Sequence, residues 1–149
     1  MNSLRALQNS FSHVPQIVFE QRDNGLILAK IDTPRATATI SLFGGQILEW
    51  KPKEQAAPVL WQSDLVQLTS DKPIRAGVPI CWPWFGAHPA RPELPSHGYA
   101  RISNWDLDSV SINKLGAVEL SLTMSDSDQR YAQQDFSAAL AIKISIGEV

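Results

Sequence analysis

The sequence predicts an all-β protein built as a sandwich of antiparallel sheets, on three observations. Several short segments alternate apolar and polar residues with a period of two. Turn-forming pairs such as Asn24-Gly25 and Gly44-Gly45 separate these segments, and no window of helical length carries a comparable apolar period of about 3.6 residues. Strands that each bury one face need a second layer against which to pack, which gives the sandwich.

Taken in order, the elements begin with a short amphipathic turn around Leu4 to Leu7. Two apolar-rich runs follow, Ile17 to Glu20 and Leu26 to Ile31. Between them lies Asp23-Asn24-Gly25, whose Asn-Gly pair tolerates the positive φ of a tight turn, so a β-hairpin is expected. After Pro34, Ala36, Ala38, Ile40 and Leu42 alternate with Thr37, Thr39 and Ser41, as in a half-buried strand with the second set outward. Gly44-Gly45 interrupts this pattern before Gln46 to Trp50 resumes it, which suits a bulge or tight bend between two strands. Val59-Leu60-Trp61 forms a further short run. Downstream, Val118, Leu120, Leu122 and Met124 form one alternating set, and Leu140, Ile142, Ile144 and Ile146 another; each predicts an amphipathic strand.

Between these blocks, residues Pro73 to Pro95 hold six of the ten prolines, a density that forbids both helix and central strand. Ile74, Val78, Ile80, Trp82, Trp84 and Phe85 nevertheless make the segment too apolar for a solvated linker. A rigid, packed functional loop is expected, extending from Pro73 to Trp105.

The length suits one domain, and 44% hydrophobic residues can form a core without metal or disulfide. Thirteen basic and 15 acidic residues, spread without runs, argue against a nucleic-acid partner. Cys81 is the only cysteine, the first 14 residues lack a signal-peptide apolar region, and no stretch reaches the length of a membrane span. A cytoplasmic protein without membrane association is expected. The last strand pattern stops three residues before Val149, within Gly147-Glu148-Val149, where a turn onward would begin; residues 1–149 are therefore expected to be an incomplete domain.

Chemistry-bearing residues concentrate in the proline-rich segment. In an extended chain His97 and Arg101 would share a face, with Cα atoms about 13 Å apart, close enough for one ligand to touch both. Arg75 and Arg101 are candidates for an anion clamp, because a guanidinium donates paired hydrogen bonds and keeps its charge. The blander readings are an exposed arginine or ion-pair partner for each, and a satisfied loop hydrogen bond for His97. Cys81, His88 and His97 are acceptable zinc ligands, but no second cysteine or His-x-His spacing accompanies them. Trp82, Trp84, Phe85 and Tyr99 are either core packing beneath the loop or a sugar-stacking platform, with packing the default. No serine-hydrolase elbow, P-loop, dinucleotide fingerprint or His-Glu-x-x-His motif occurs.

The segments Lys72-Pro73-Ile74-Arg75-Ala76-Gly77-Val78-Pro79-Ile80-Cys81-Trp82-Pro83-Trp84-Phe85-Gly86 and Leu94-Pro95-Ser96-His97-Gly98-Tyr99-Ala100-Arg101 closely resemble the glucose-6-phosphate 1-epimerase family. Ala38 to Pro52 and Val59 to Ser63 resemble its early strands in the same order, so the resemblance covers nearly the whole chain. It implies the N-terminal portion of a galactose-mutarotase-like β-sandwich (supersandwich). It also implies interconversion of the α and β anomers of a hexose 6-phosphate, without a cofactor or metal.

Carried over by residue, the resemblance assigns Arg75 and Arg101 to substrate binding through the phosphate. Ser96 stands at a substrate-facing position often occupied by glutamine. His97 is implied to hydrogen-bond the sugar near its ring oxygen or anomeric centre, as an auxiliary rather than the principal acid. The family's acid is a second histidine in an Ala-Leu-His-Thr/Ser-Tyr-Phe type motif and its base a later glutamate; neither motif occurs in residues 1–149. Ala76 replaces the first of two glycines usual after the arginine, a small change if its φ is negative. The resemblance thus implies a chain that supplies phosphate and sugar contacts without the acid-base pair. The alternative is a non-catalytic sugar-phosphate-binding or interaction domain.

Overall fold

The computed structural model describes residues 3–125 and 139–147 of the chain. Glu148 and Val149, where a turn onward was expected, lie outside the described residues. The short helix α1 (Leu4–Ser10) precedes strands β1 (Ile17–Gln21), β2 (Ile27–Asp32), β3 (Ala36–Ser41) and β4 (Gln46–Pro52). A single 3-10 turn (Ala100–Ile102) leads to β5 (Asp106–Ile112), β6 (Val118–Ser125) and β7 (Ala139–Ile146). The strands form two antiparallel sheets, ordered β1-β2-β3-β4 and β5-β6-β7.

The first sheet is a meander because each connection is a tight turn. In the β1–β2 hairpin, Arg22 donates to the Leu26 carbonyl (2.9 Å) and Gly25 alone takes a positive φ, 85°. Asn24 uses its side chain instead, accepting from the Leu26 N–H (3.2 Å) and donating to the Leu68 carbonyl (2.6 Å). The expected hairpin is present, but its turn is longer than a two-residue Asn-Gly loop. Gly44-Gly45 lies in the β3–β4 turn, and the pairing of those strands shifts register between Thr39 and Ile40, as the bend prediction requires.

The period-two residues face one shared core. Ala36, Ala38 and Ile40 of β3 are buried in the same cluster as Val118, Leu120, Leu122 and Met124 of β6 and Ile144 and Ile146 of β7. Each large aliphatic side chain removed from water stabilises the sandwich by roughly 1.5–3 kcal/mol. Strand β5 carries no clear alternation, because its pairing with β6 shifts between Leu107 and Ser109 and the buried residues Leu107 and Val110 fall three apart.

A second, smaller cluster lies on the other face of the first sheet, where Leu28 and Leu48 pack with Leu26, Phe43 and Ile74. Ser41, expected to face outward, is fully buried there and donates to the Phe43 carbonyl (2.7 Å). Residues 53–99 contain no helix or strand, as the prolines dictate. They are held to the free edge of β4 by isolated bridges, Leu60 to Trp50 and Val78 to Ile47. Among the described residues, no helix is long and apolar enough to cross a membrane.

Candidate functional site

Arg75, Ser96, His97 and Arg101 line one cleft of about 500 Å³, completed by Ile74, Ala76, Gly77 and Pro79. The four residues singled out from the sequence, drawn from two segments some 20 positions apart, therefore meet. Their route there differs from the extended strand considered above. His97 has a φ of 66°, Gly98 a φ of 70°, and Arg101 sits in the 3-10 turn, so a tight reversal brings the arginine back.

The Arg75 segment is fastened on both sides. Ile74 is buried in the second cluster, and the Gln46 side-chain amide donates to the Ala76 carbonyl (2.8 Å) and more weakly to that of Ile74 (3.4 Å). Gly77 then lies against β4: a Cβ there would sit 1.8 Å from the Ile47 oxygen, and its φ of 58° disfavours any side chain. Val78 donates to that same oxygen at 2.8 Å. Ala76 is not among the positive-φ residues, so alanine fits without backbone strain. Arg75 itself is exposed.

The second segment is organised around the Trp82 carbonyl, which accepts from Tyr99 (3.0 Å) and Ala100 (3.2 Å). A Cβ on Gly98 would lie 2.1 Å from that oxygen, so glycine is required for the close approach. The Trp105 indole donates to the Ala100 carbonyl (3.0 Å) and secures the turn that carries Arg101. The Arg101 guanidinium donates through Nη2 to the Ser96 carbonyl (2.7 Å). Its Nε is buried without a partner among the described residues.

His97 is clamped to Gly86 twice. Its backbone N–H donates to the Gly86 carbonyl (2.7 Å), and the Gly86 N–H donates to His97 Nδ1 (3.1 Å). An Nδ1 that accepts leaves the proton of the neutral ring on Nε2, so His97 is set as a hydrogen-bond donor through Nε2. The loop hydrogen bond and the site role, alternatives in the sequence, are thus compatible: one ring nitrogen serves each.

The aromatic residues divide. Trp82 and Trp84 pack on the main core and meet buried Tyr99 edge to face at 5.5 and 6.2 Å, and Trp84 Nε1 donates to the Pro95 carbonyl (3.0 Å). Phe85 departs from the packing reading: it is 80% exposed, with its ring 4.7 Å from that of His97. His88 Nδ1 accepts from the Ala90 and Arg91 N–H groups (3.2 and 3.0 Å). Among the described residues no group of three His, Cys, Asp or Glu side chains is placed to hold a metal ion.

The cleft's character follows from this inventory. Two guanidinium groups and an imidazole border it, no carboxylate does, and neither arginine belongs to an ion pair among the described residues. Guanidinium and imidazole N–H groups can offer charge-assisted hydrogen bonds to an anion. Gln46 and Gly86, which hold Arg75 and His97 in place, were not legible as site residues: Gln46 reads as one more strand position, and nothing local announces what its amide reaches.

The family model described as Aldose 1-epimerase matches residues 28–148. A Salmonella typhimurium protein is 34% identical over 145 residues, covering 97% of this chain and 48% of the relative. An Escherichia coli protein is 34% identical over 125 residues, covering 83% and 42%. Both carry the name "Putative glucose-6-phosphate 1-epimerase". A crystal structure of a "putative mutarotase" from Salmonella typhimurium superposes with a TM-score of 0.81 at 31% identity, over 95% of this chain and 48% of that one. This chain spans about half the length of the curated relatives it matches.

Proposed function

Because this chain belongs to the aldose 1-epimerase family, we propose that it is the phosphate- and sugar-binding part of a hexose-6-phosphate 1-epimerase. The observation that supports the reading is that Arg75, Arg101 and His97 line one cleft that no carboxylate borders among the described residues. The two arginines are assigned to the phosphate. His97 donates to the sugar near its ring oxygen or anomeric centre, and Ser96, whose carbonyl braces Arg101, stands at the rim with a short hydroxyl.

Anomer exchange requires an acid that protonates the ring oxygen and a base that takes the C1 hydroxyl proton, so that the ring opens, C1 rotates and the ring closes on the other face. His97 is assigned a hydrogen bond to the sugar through Nε2–H and not the acid role, and among the described residues no carboxylate borders the cleft as a base. The proton transfers are assigned to residues beyond positions 1–149, with no cofactor or metal in the step. The chain alone then binds and orients hexose 6-phosphate without turnover.

Exchange NMR between α- and β-glucose 6-phosphate tests both halves of the proposal. The expected result is ligand line-broadening and shift changes at Arg75, His97 and Arg101 with the spontaneous exchange rate unchanged. Faster anomer exchange on adding the 149-residue chain refutes the division of labour; absence of any binding to the phosphosugar refutes the site.

A further inference from the structure

We propose that Gln46 is a positioning residue for Arg75: the side-chain amide at the start of β4 sets the loop conformation from which the arginine reaches an anionic ligand. The inference rests on the phosphosugar reading above and deepens it. Gln46 is 1% exposed, one of the few buried polar side chains among the described residues. Its Nε2 bonds to the carbonyls of Ile74 and Ala76, the residues on either side of Arg75.

The amide's other half makes the case sharper. Gln46 Oε1 is also buried and accepts from no group among the described residues. Burying an amide with its acceptor unpaired is unfavourable, so a residue needed at this place only for volume would be better as leucine or methionine. What the amide contributes that an apolar side chain lacks is the pair of donors aimed at the Arg75 segment.

The neighbouring fasteners do not duplicate this. The Gly77 contact and the Val78 hydrogen bond both engage Ile47 and act two and three residues beyond Arg75. Burial of Ile74 restrains translation of the preceding residue, yet an apolar contact is non-directional and leaves peptide rotation free. A small rotation at the Cα of an exposed arginine moves its guanidinium by several times as much. The Gln46 amide, bonded to the Ala76 carbonyl at 2.8 Å and weakly to that of Ile74 at 3.4 Å, restricts that freedom, which is the sense in which a ligand site is preorganised.

The test is a double-mutant cycle read by calorimetric titration with glucose 6-phosphate. Gln46→Met, which keeps volume and removes both donors, is expected to weaken binding by about tenfold. Arg75→Ala is expected to weaken it by more, and the double variant to bind no worse than Arg75→Ala alone, because Gln46 acts through the arginine. A double variant weaker than Arg75→Ala by the full factor of the methionine variant overturns the proposal. So does an unaffected Gln46→Met beside a weakened Arg75→Ala. An unaffected Arg75→Ala instead marks failure of the phosphate-clamp reading itself. If the methionine variant does not fold, Gln46→Asn takes its place, since the shorter amide cannot span both carbonyls.

Discussion

Gly77→Ala is a severe small change beside the cleft, and its cost can be worked out from the backbone. At a φ of 58° an alanine is left-handed, which costs roughly 1–2 kcal/mol. The added Cβ would lie 1.8 Å from the Ile47 oxygen and 2.7 Å from Leu48 Cα, both rigid backbone of β4. To restore ordinary contact the loop must retreat by more than about 1 Å, which breaks the hydrogen bond from Val78 to that oxygen and forfeits roughly 0.5–1.5 kcal/mol. A loss of about 2–3 kcal/mol in unfolding free energy is expected, along with weaker glucose 6-phosphate binding as Arg75 moves with the loop.

Urea denaturation followed by tryptophan fluorescence measures the first effect, and titration calorimetry the second. Gly116→Ala provides the control. Its φ of 82° is similarly left-handed, but nothing lies within 4 Å of its Cβ, so it should show the backbone cost of about 1 kcal/mol alone and leave binding untouched. Equal losses in the two variants would refute the close-approach argument. Unaltered phosphosugar affinity in Gly77→Ala would refute the claim that this contact positions Arg75.

Two further changes probe charge. Arg75→Ala and Arg101→Ala should each weaken glucose 6-phosphate binding by roughly 1.5–3 kcal/mol while affecting free glucose much less, and equal losses for the two ligands would argue against a phosphate clamp. Thermal denaturation should separate the pair, since Arg101 also donates to the Ser96 carbonyl and Arg75 has no such partner among the described residues. Away from the site, the Lys143 ammonium on β7, and after it the Asn113 amide, hold the Glu119 carboxyl on β6 below its usual range. A carboxylate whose folded value is depressed adds stability above the ordinary glutamate range of about pH 4.3, and that stability is lost as pH falls through the folded value. Glu119→Gln should therefore lower stability near neutrality and flatten its decline between about pH 5 and pH 3; an unchanged acid limb in urea titrations would remove this pair from the account.

How much could be read without coordinates depended on the range of the interaction involved. Alternation at period two is a local signal, and it located β3, β4, β6 and β7, while two apolar runs around the Asn-Gly turn located β1 and β2. Strand β5 escaped since a register shift breaks its alternation, and Ser41 was turned the wrong way because a loop covers the outer face of its sheet. The proline-rich stretch was legible as a packed loop from composition alone, and Arg75, Ser96, His97 and Arg101 were legible through their resemblance to a family motif.

The sequence by itself thus determined the all-β class and which side chains could hold an anion, since backbone periodicity and the charge of a guanidinium belong to the chain locally. Tertiary structure alone decided that those side chains share one cleft, that Gly86 commits Nδ1 of His97 and that Gln46 reaches around Arg75. These are pairings across 11 to 30 positions of irregular chain, and hydrogen bonds between such distant groups are fixed by how the loop lies on β4, which no local pattern encodes.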